Sequence, residues 1–353
     1  MSGQAAEKIS WHSIEEAGFS LEGLYWHQKG GALRRIPENA FISPRVNGLA
    51  DNTAGVMLRF RSNSTTVKLQ VKLKPWDETY FWTLAQSASA GFDLYIGRER
   101  SKIFVGATRQ KFGAEEYIAD LWSGPDFSAE IRDFTLNFPL YSGVEELRIG
   151  LSEKAEILPP APWPDPRPIV VYGTSIQQGA CASRPGMCHT HQMSRLLNRP
   201  FLNLGFSGAG CGEPEMAKLL AEIRNPALYI LDYDGNAGVS GLKKTLSAFI
   251  DILREKHPET PILLVSRLPM KWEFLSGMSY TEERRELTEI HLKELARRRE
   301  QGDRNIHFLD GFTLYGPDPA ECTADGTHAN DLGMYFVART MAPVIERILS
   351  IKA

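Results

Sequence analysis

Cysteine is scarce in this 353-residue sequence: four residues, Cys181, Cys188, Cys211 and Cys322, all in the second half. A chain of this length with so few cysteines has no disulfide framework, and we read all four as reduced thiols. Charge excess is also missing. Forty basic residues face 43 acidic ones for a net charge of −3, and no Lys/Arg run is long enough to follow a phosphate backbone, which argues against nucleic acid as a partner. No apolar run approaches the roughly 18 residues of a membrane span, so the chain is expected not to cross one. The first residues lack the basic and apolar segments of a secretory signal, and with the reduced cysteines this predicts a cytoplasmic protein. Hydrophobic residues make up 42% and charged residues 24%, ordinary values for a folded globular chain.

The two halves differ in period. Val67, Leu69, Val71 and Leu73 alternate with Lys68, Gln70, Lys72 and Lys74; Phe134, Leu136, Phe138 and Leu140, and then Leu147, Ile149 and Leu151, repeat the pattern. Period-two alternation is that of a strand with one wet face. Turn residues (Asn63, Ser64, Gly91, Gly97, Gly106, Gly143) separate such segments, and the pattern predicts an all-β sandwich over residues 1–155. Residues 159–168 then hold six prolines in ten positions, a stiff extended connector, and we set a linker at 156–168. From 169 to 353, apolar segments at 169–172, 228–231, 262–265 and 306–309 alternate with helical ones, predicting an α/β domain with a parallel sheet covered on both faces. Helices are expected at 239–256, 281–299 and 331–350. The acidic start and basic end of the second suit the helix dipole and need no functional explanation.

Four segments carry candidate chemistry. Tyr172-Gly173-Thr174-Ser175 ends a buried strand, and a serine there points into the crevice at the carboxyl edge of the sheet. Ser175 is thus a candidate nucleophile, or an ordinary turn serine. Asp325 stands three residues before His328 in the loop that opens the last helix. A serine needs a base, and an imidazole needs a partner on its other nitrogen, so these two could complete a Ser-His-Asp set; alternatively Asp325 only organises the turn. Gly208, in the glycine-rich segment after 202–204, could offer a backbone N–H to an oxyanion, or form only a tight turn. Asn236, after the strand at 228–231, could donate its amide. Neither a P-loop ending nor a Gly-x-Gly-x-x-Gly spacing is present, which disfavours nucleotides. His189 and His191 read as pocket lining or helix surface. Cys181, Cys188 and His191 lack a second ligand pair at structural-zinc spacing, so we expect no metal and no cofactor.

These four blocks, in this order, resemble the SGNH (GDSL-type) hydrolase superfamily over about residues 168–350. Gly-Asp-Ser has become Gly173-Thr174-Ser175, and Gly-x-Asn-Asp has become Asp234-Gly235-Asn236-Ala237. The wording Tyr-Gly-Thr-Ser-Ile-x-Gln-Gly, Ala182-Ser183-Arg184-Pro185-Gly186 and Asn-Leu-Gly-Phe-Ser-Gly is similar to a bacterial subgroup with an N-terminal β-sandwich, and Gly91-Phe92-Asp93-Leu94-Tyr95 resembles a motif of that extra domain. The resemblance implies a flavodoxin-like three-layer domain preceded by a jelly-roll-like sandwich. It implies Ser175, Asp325 and His328 as the triad, with Ser175, Gly208 and Asn236 forming the oxyanion hole. It also implies an esterase acting on short acyl esters of small molecules or oligosaccharides, with an acyltransferase or an inactive carbohydrate-binding protein as alternatives; a homo-oligomer stays open. Among the aromatics of the β half, Trp76, Trp82 and Trp122, we expect at least two in the core and otherwise a role in the cleft.

Overall fold

The computed structural model describes residues 8–75, 82–124 and 130–350. Trp76 lies outside them. The first half supplies β1 (Ile9–Ser13), β2 (Ser20–Glu22), β3 (Met57–Ser62), β4 (Thr66–Leu73), β5 (Asp93–Ile96), β6 (Ile103–Ala107), β7 (Glu116–Ser123), β8 (Arg132–Asn137), β9 (Val144–Ser152) and β10 (Ile157–Leu158), with two short helices, α1 (Pro44–Leu49) and α2 (Gln86–Ser89). The strands form two antiparallel sheets, one ordered β1-β9-β4-β7 and one ordered β10-β3-β8-β5-β6 with β2 beside β3. The predicted alternation of β4 is present: Val67, Leu69, Val71 and Leu73 are buried with Leu147 and Ile149 from their own sheet and Leu58, Phe60, Phe134 and Leu136 from the other, in one core. Burying each such side chain is worth about 1.5–3 kcal/mol, which holds the sheets face to face. Gly106 corrects the sequence reading. It lies within β6 and not between strands, at a bulge where a Cβ would stand 2.0 Å from the Leu121 carbonyl.

The second half is a parallel sheet ordered β12-β11-β13-β14-β15, from β11 (Ile169–Gly173), β12 (Phe201–Gly205), β13 (Leu228–Asp232), β14 (Ile262–Val265) and β15 (Ile306–Leu309). Its helices are α3 (Ser175–Gln178), α4 (His189–Leu197), α5 (Pro214–Ala221), α6 (Asp234–Lys256), α7 (Lys271–Leu275), α8 (Glu282–Glu300) and α9 (Asp331–Ser350). Alternate strand residues serve opposite layers. Val170, Tyr172, Leu204 and Leu231 pack with α5 and α6, whereas Ile169, Val171, Phe201 and Ile230 pack with α4 and α9. Both faces are therefore covered, which is why these strands read as continuous apolar runs. The helix expected at 239 starts at 234 because a short turn joins it through Gly238, at φ +61°.

The β half does more than precede this sheet. Ile36, Val46 and Ala50 are buried in the core beneath α5 and α6. Arg35, fully enclosed, donates to the carbonyls of Asn203, Gly205 and Leu49. Burial without a carboxylate partner pulls its guanidinium down to about 9. Asp93, the acid of the Gly-x-Asp-Leu-Tyr segment, is completely buried and accepts from Arg184 Nη1 at 2.7 Å, the Gly186 N–H at 2.8 Å and Asn137 Nδ2 at 2.7 Å. Arg184 also donates to Tyr95 Oη at 2.6 Å. The motif of one half thus binds the Arg-Pro-Gly of the other. Removing one partner of such a pair leaves a poorly solvated charge, so Asp93→Ala is expected to lower folding stability by on the order of 3 kcal/mol. A urea midpoint equal to that of the wild type would show that this clamp contributes nothing.

Candidate active site

Ser175 is placed by a turn with no slack. β11 ends at Gly173, where a Cβ would stand 2.2 Å from the Asp232 carbonyl. Thr174 then caps α3: its hydroxyl accepts the Ile176 N–H, and Gln177 Oε1 accepts from the Thr174 N–H at 2.8 Å and hydroxyl at 3.0 Å. Ser175 follows, 7% exposed. From the far end of the sequence, the loop before α9 brings His328 Nε2 to 3.0 Å from Ser175 Oγ. Asp325 performs both of the tasks that the sequence left as alternatives. Its Oδ1 accepts the N–H groups of Thr327 at 2.9 Å and His328 at 2.8 Å, and its Oδ2 faces His328 Nδ1 at 2.7 Å. With a carboxylate as neighbour, Nδ1 carries the proton and Nε2 is left to accept. Burial pushes the Asp325 carboxyl up, but these N–H groups and the imidazole outweigh it and hold it below the usual range.

A cavity of about 110 Å³ opens at Ser175 and His328, lined among others by Ile176, Asn236, Leu268 and Met270. Larger hollows of about 430 and 450 Å³ lie between α6 and α8 and across the outer face of β4, β7 and β9, and hold neither residue. Asn236 lines the cavity, its Nδ2 3.3 Å from the Phe206 carbonyl. Gly208 is exposed on the next loop at φ +60°, beside Arg45, and is not among the lining residues. His189 and His191 depart from expectation: both are buried, neither on a surface nor in the cavity, and burial pulls them down to about 4 and 3. Cys188 packs with Gln177 and Thr190. Trp122 packs against Phe134, while Trp82 is 86% exposed.

Sequence reasoning missed the side chains that hold this site. Gln177 Nε2 donates to Asp232. Gln178 accepts the Ser207 N–H at 3.0 Å and donates to Asn52 at 3.0 Å and to the Leu140 carbonyl. The signal was available: two adjacent glutamines two and three positions after the candidate nucleophile. Arg267, on the cavity wall, is held by Glu273 at 3.0 Å, which also binds Arg284 at 3.1 Å; nothing local in the sequence announces this cluster.

The residues match two family models: GDSL-like lipase/acylhydrolase over residues 166–346, and the N-terminus of SGNH hydrolase-type esterases over residues 9–157. A Bacteroides ovatus protein described as a GDSL-like lipase is 31% identical over 98% of this chain and 99% of its own, with a TM-score of 0.84. A salicylyl-acyltransferase from a tetracycline biosynthetic pathway is 21% identical over 95% and 97%, TM-score 0.72. An acetyl xylan esterase from the rumen bacterium Butyrivibrio proteoclasticus is 12% identical over 97% and 98%, TM-score 0.61. The last two show likeness of fold. Comparison with curated proteins gives no match.

Asp232 offers a test of the site's electrostatics. Burial, reinforced by Asp234, pushes its carboxyl well above the ordinary 3.8, with only the Gln177 amide opposing. A raised carboxyl adds stability fully present below the unfolded-state value and lost as pH rises toward the folded one. Asp232→Asn removes that dependence. Its stability is expected to gain on the wild type by up to about 1.4 kcal/mol per pH unit as pH climbs from the unfolded-state value of about 3.9 toward the raised folded-state one. Denaturation curves that keep a constant offset across that window would place Asp232 as an ordinary ionised carboxylate.

Proposed function

The chain belongs to the GDSL-like lipase/acylhydrolase family, in its SGNH esterase form, and on that premise we propose that it is a serine esterase removing short acyl groups, acetyl foremost, from a carbohydrate. The observation that carries this reading is the hydrogen-bonded line from Ser175 Oγ through His328 to Asp325, at 3.0 and 2.7 Å.

In this reading His328 Nε2 takes the Ser175 proton as the oxygen attacks the ester carbonyl, and Asp325 stabilises the imidazolium through Nδ1–H. The oxyanion rests on the Ser175 N–H, the Gly208 N–H and the Asn236 amide, the last already on the cavity wall. The imidazolium protonates the departing alcohol. A water then gives its proton to His328, attacks the acyl-enzyme and releases the acid. The cavity of about 110 Å³ favours an acyl group of few atoms. Support for a sugar comes from fold neighbours that include an acetyl xylan esterase. We assign residues 1–155 to a jelly-roll-type sandwich, 156–168 to a linker and 169–353 to the catalytic domain, and place the protein in the cytoplasm.

Acyl transfer to an alcohol is the second reading, favoured by the likeness to the salicylyl-acyltransferase. An inactive binding protein is disfavoured, since such a protein has no use for the Ser175–His328–Asp325 line.

Acid release from 4-nitrophenyl acetate and from acetylated mono- and oligosaccharides tests the proposal. Ser175→Ala is expected to lower kcat by a factor on the order of 10⁴ or more, and Asn236→Ala by about 10²–10³. Turnover unchanged in Ser175→Ala removes the nucleophile assignment. Acceleration by added alcohol, with a new ester accumulating, selects the acyltransferase.

A further inference from the structure

One thiol stands closer to this site than its chemistry requires. Cys181 follows α3 at φ +66°, in the left-handed region that non-glycine residues seldom occupy. It is 7% exposed. Its Sγ is 2.9 Å from the hydroxyl of Thr83, a residue of the β half. Cys181 Sγ, a carboxylate oxygen of Asp325 and a ring nitrogen of His328 all lie within 4.8 Å of one another, the one such trio of donors among the described residues.

A thiolate, a carboxylate and an imidazole are together a donor set suited to zinc. Zinc bonds of about 2.0–2.3 Å hold tetrahedral donors roughly 3.3–3.7 Å apart. The three atoms, within 4.8 Å of one another, need to close by at most about 1.5 Å to reach that spacing. Three protein ligands leave a fourth position for water. A thiolate and a carboxylate also balance the two positive charges of the ion, which matters in a region as enclosed as this one.

We propose that Cys181, Asp325 and His328 form an inhibitory zinc site, where the ion binds reversibly at the expense of the hydrogen-bonded line through Ser175. Binding releases the thiol proton to solvent, while the neutral imidazole contributes a lone pair and the carboxylate remains an anion. If the ion takes His328 Nδ1, the proton there moves to Nε2, and that nitrogen can no longer accept from Ser175. If it takes Nε2, Ser175 loses its base directly. Either way, the serine is left without general-base assistance. Burial pushes the Cys181 thiol up to about 11, with Asp325 adding to the shift and Thr83 opposing it. The thiol is therefore protonated without metal, does not compete with Ser175 as a nucleophile, and is converted to a ligand by the ion itself. The inhibitory consequence rests on the esterase reading; the binding of metal does not.

Two measurements on the full chain separate these. Zinc chloride is titrated against turnover of 4-nitrophenyl acetate, and cobalt(II) chloride is titrated while the near-ultraviolet absorption of a thiolate–cobalt bond is followed. Zinc is expected to suppress wild-type turnover at least about tenfold, with recovery on adding EDTA, and cobalt to produce the absorption band. Cys181→Ser is expected to retain metal-free turnover, to need at least about tenfold more zinc for suppression, and to lose the cobalt band, since a hydroxyl gives no thiolate–cobalt absorption. Cys211→Ser, altering a partly exposed thiol elsewhere, should respond like the wild type. Equal zinc sensitivity in Cys181→Ser, or no band in the wild type, overturns the site. A band lost in Cys181→Ser in a protein that turns over no ester upholds the site and removes the esterase reading. Ester turnover with no band does the reverse.

Discussion

Three backbones meet at the carboxyl edge of the parallel sheet with no room for side chains between them, and the rest of the site depends on that crowding. A Cβ on Gly173 would lie 2.2 Å from the Asp232 carbonyl, one on Gly205 2.3 Å from the Gln178 N–H, and one on Gly210 2.2 Å from the Gly173 carbonyl. The obstacles are main-chain atoms, which cannot swing aside. Glycine is therefore required at all three positions for reasons of space. With it, the turns after β11, β12 and β13 come close enough for short side chains to tie them: Gln177 reaches from the first to Asp232 on the third, and Gln178 from the first to Ser207 on the second. The serine, the glycine-rich loop and the Asn236 turn thus hold fixed positions without any of them needing a long arm.

The β half enters the same construction from outside. Asn52 and the Leu140 carbonyl occupy the amide of Gln178. Asp93 grips Arg184, and the neighbouring Ser183 donates through its N–H and its hydroxyl to Asp331, the first residue of α9 and three positions beyond His328. Support therefore reaches the serine through Gln178 and the histidine loop through Arg184, Ser183 and Asp331. Thr83 adds a third contact at Cys181. This accounts for two motifs in one chain that lie 91 positions apart: each supplies what the other would otherwise leave as an unpaired buried charge.

What the sequence made legible follows from range. The alternation through Val67–Leu73 and the helix at 331–350 are local, and local periodicity located them. The Asp325–His328 pair was legible because a three-residue spacing in a turn constrains both side chains. Gly106 misled because a glycine that makes room for a neighbouring strand's carbonyl and one that makes a turn look alike in one dimension. His189 and His191 misled because the polar residues of α4 are buried at a junction of layers, which no single-helix pattern records. The Arg267–Glu273–Arg284 cluster and the reach of Gln178 to Asn52 depend on loops meeting in space, and no spacing encodes them.

Two carboxyl groups near one serine are pushed in opposite directions, and the proposed mechanism has a use for both. Asp325 accepts two backbone N–H groups and an imidazole, so its charge is compensated where it stands and available to the imidazolium. Asp232 has one amide donor, is only 7% exposed and has Asp234 as its electrostatic neighbour, so its neutral form is favoured. Asp232 and Asn236 both line the cavity, Asn236 being the proposed oxyanion donor. A negative Asp232 would repel the charge that develops on the substrate oxygen, whereas a neutral one leaves the field of the Asn236 amide and backbone N–H groups unopposed. Separation of two titrating groups by their surroundings is a general device for assigning them different tasks. Here the surroundings that separate them are the same crowded strand ends: Asp232 closes β13 beneath the turn that Gln177 caps, so the glutamine that fixes the serine's turn is also the side-chain donor that Asp232 relies on.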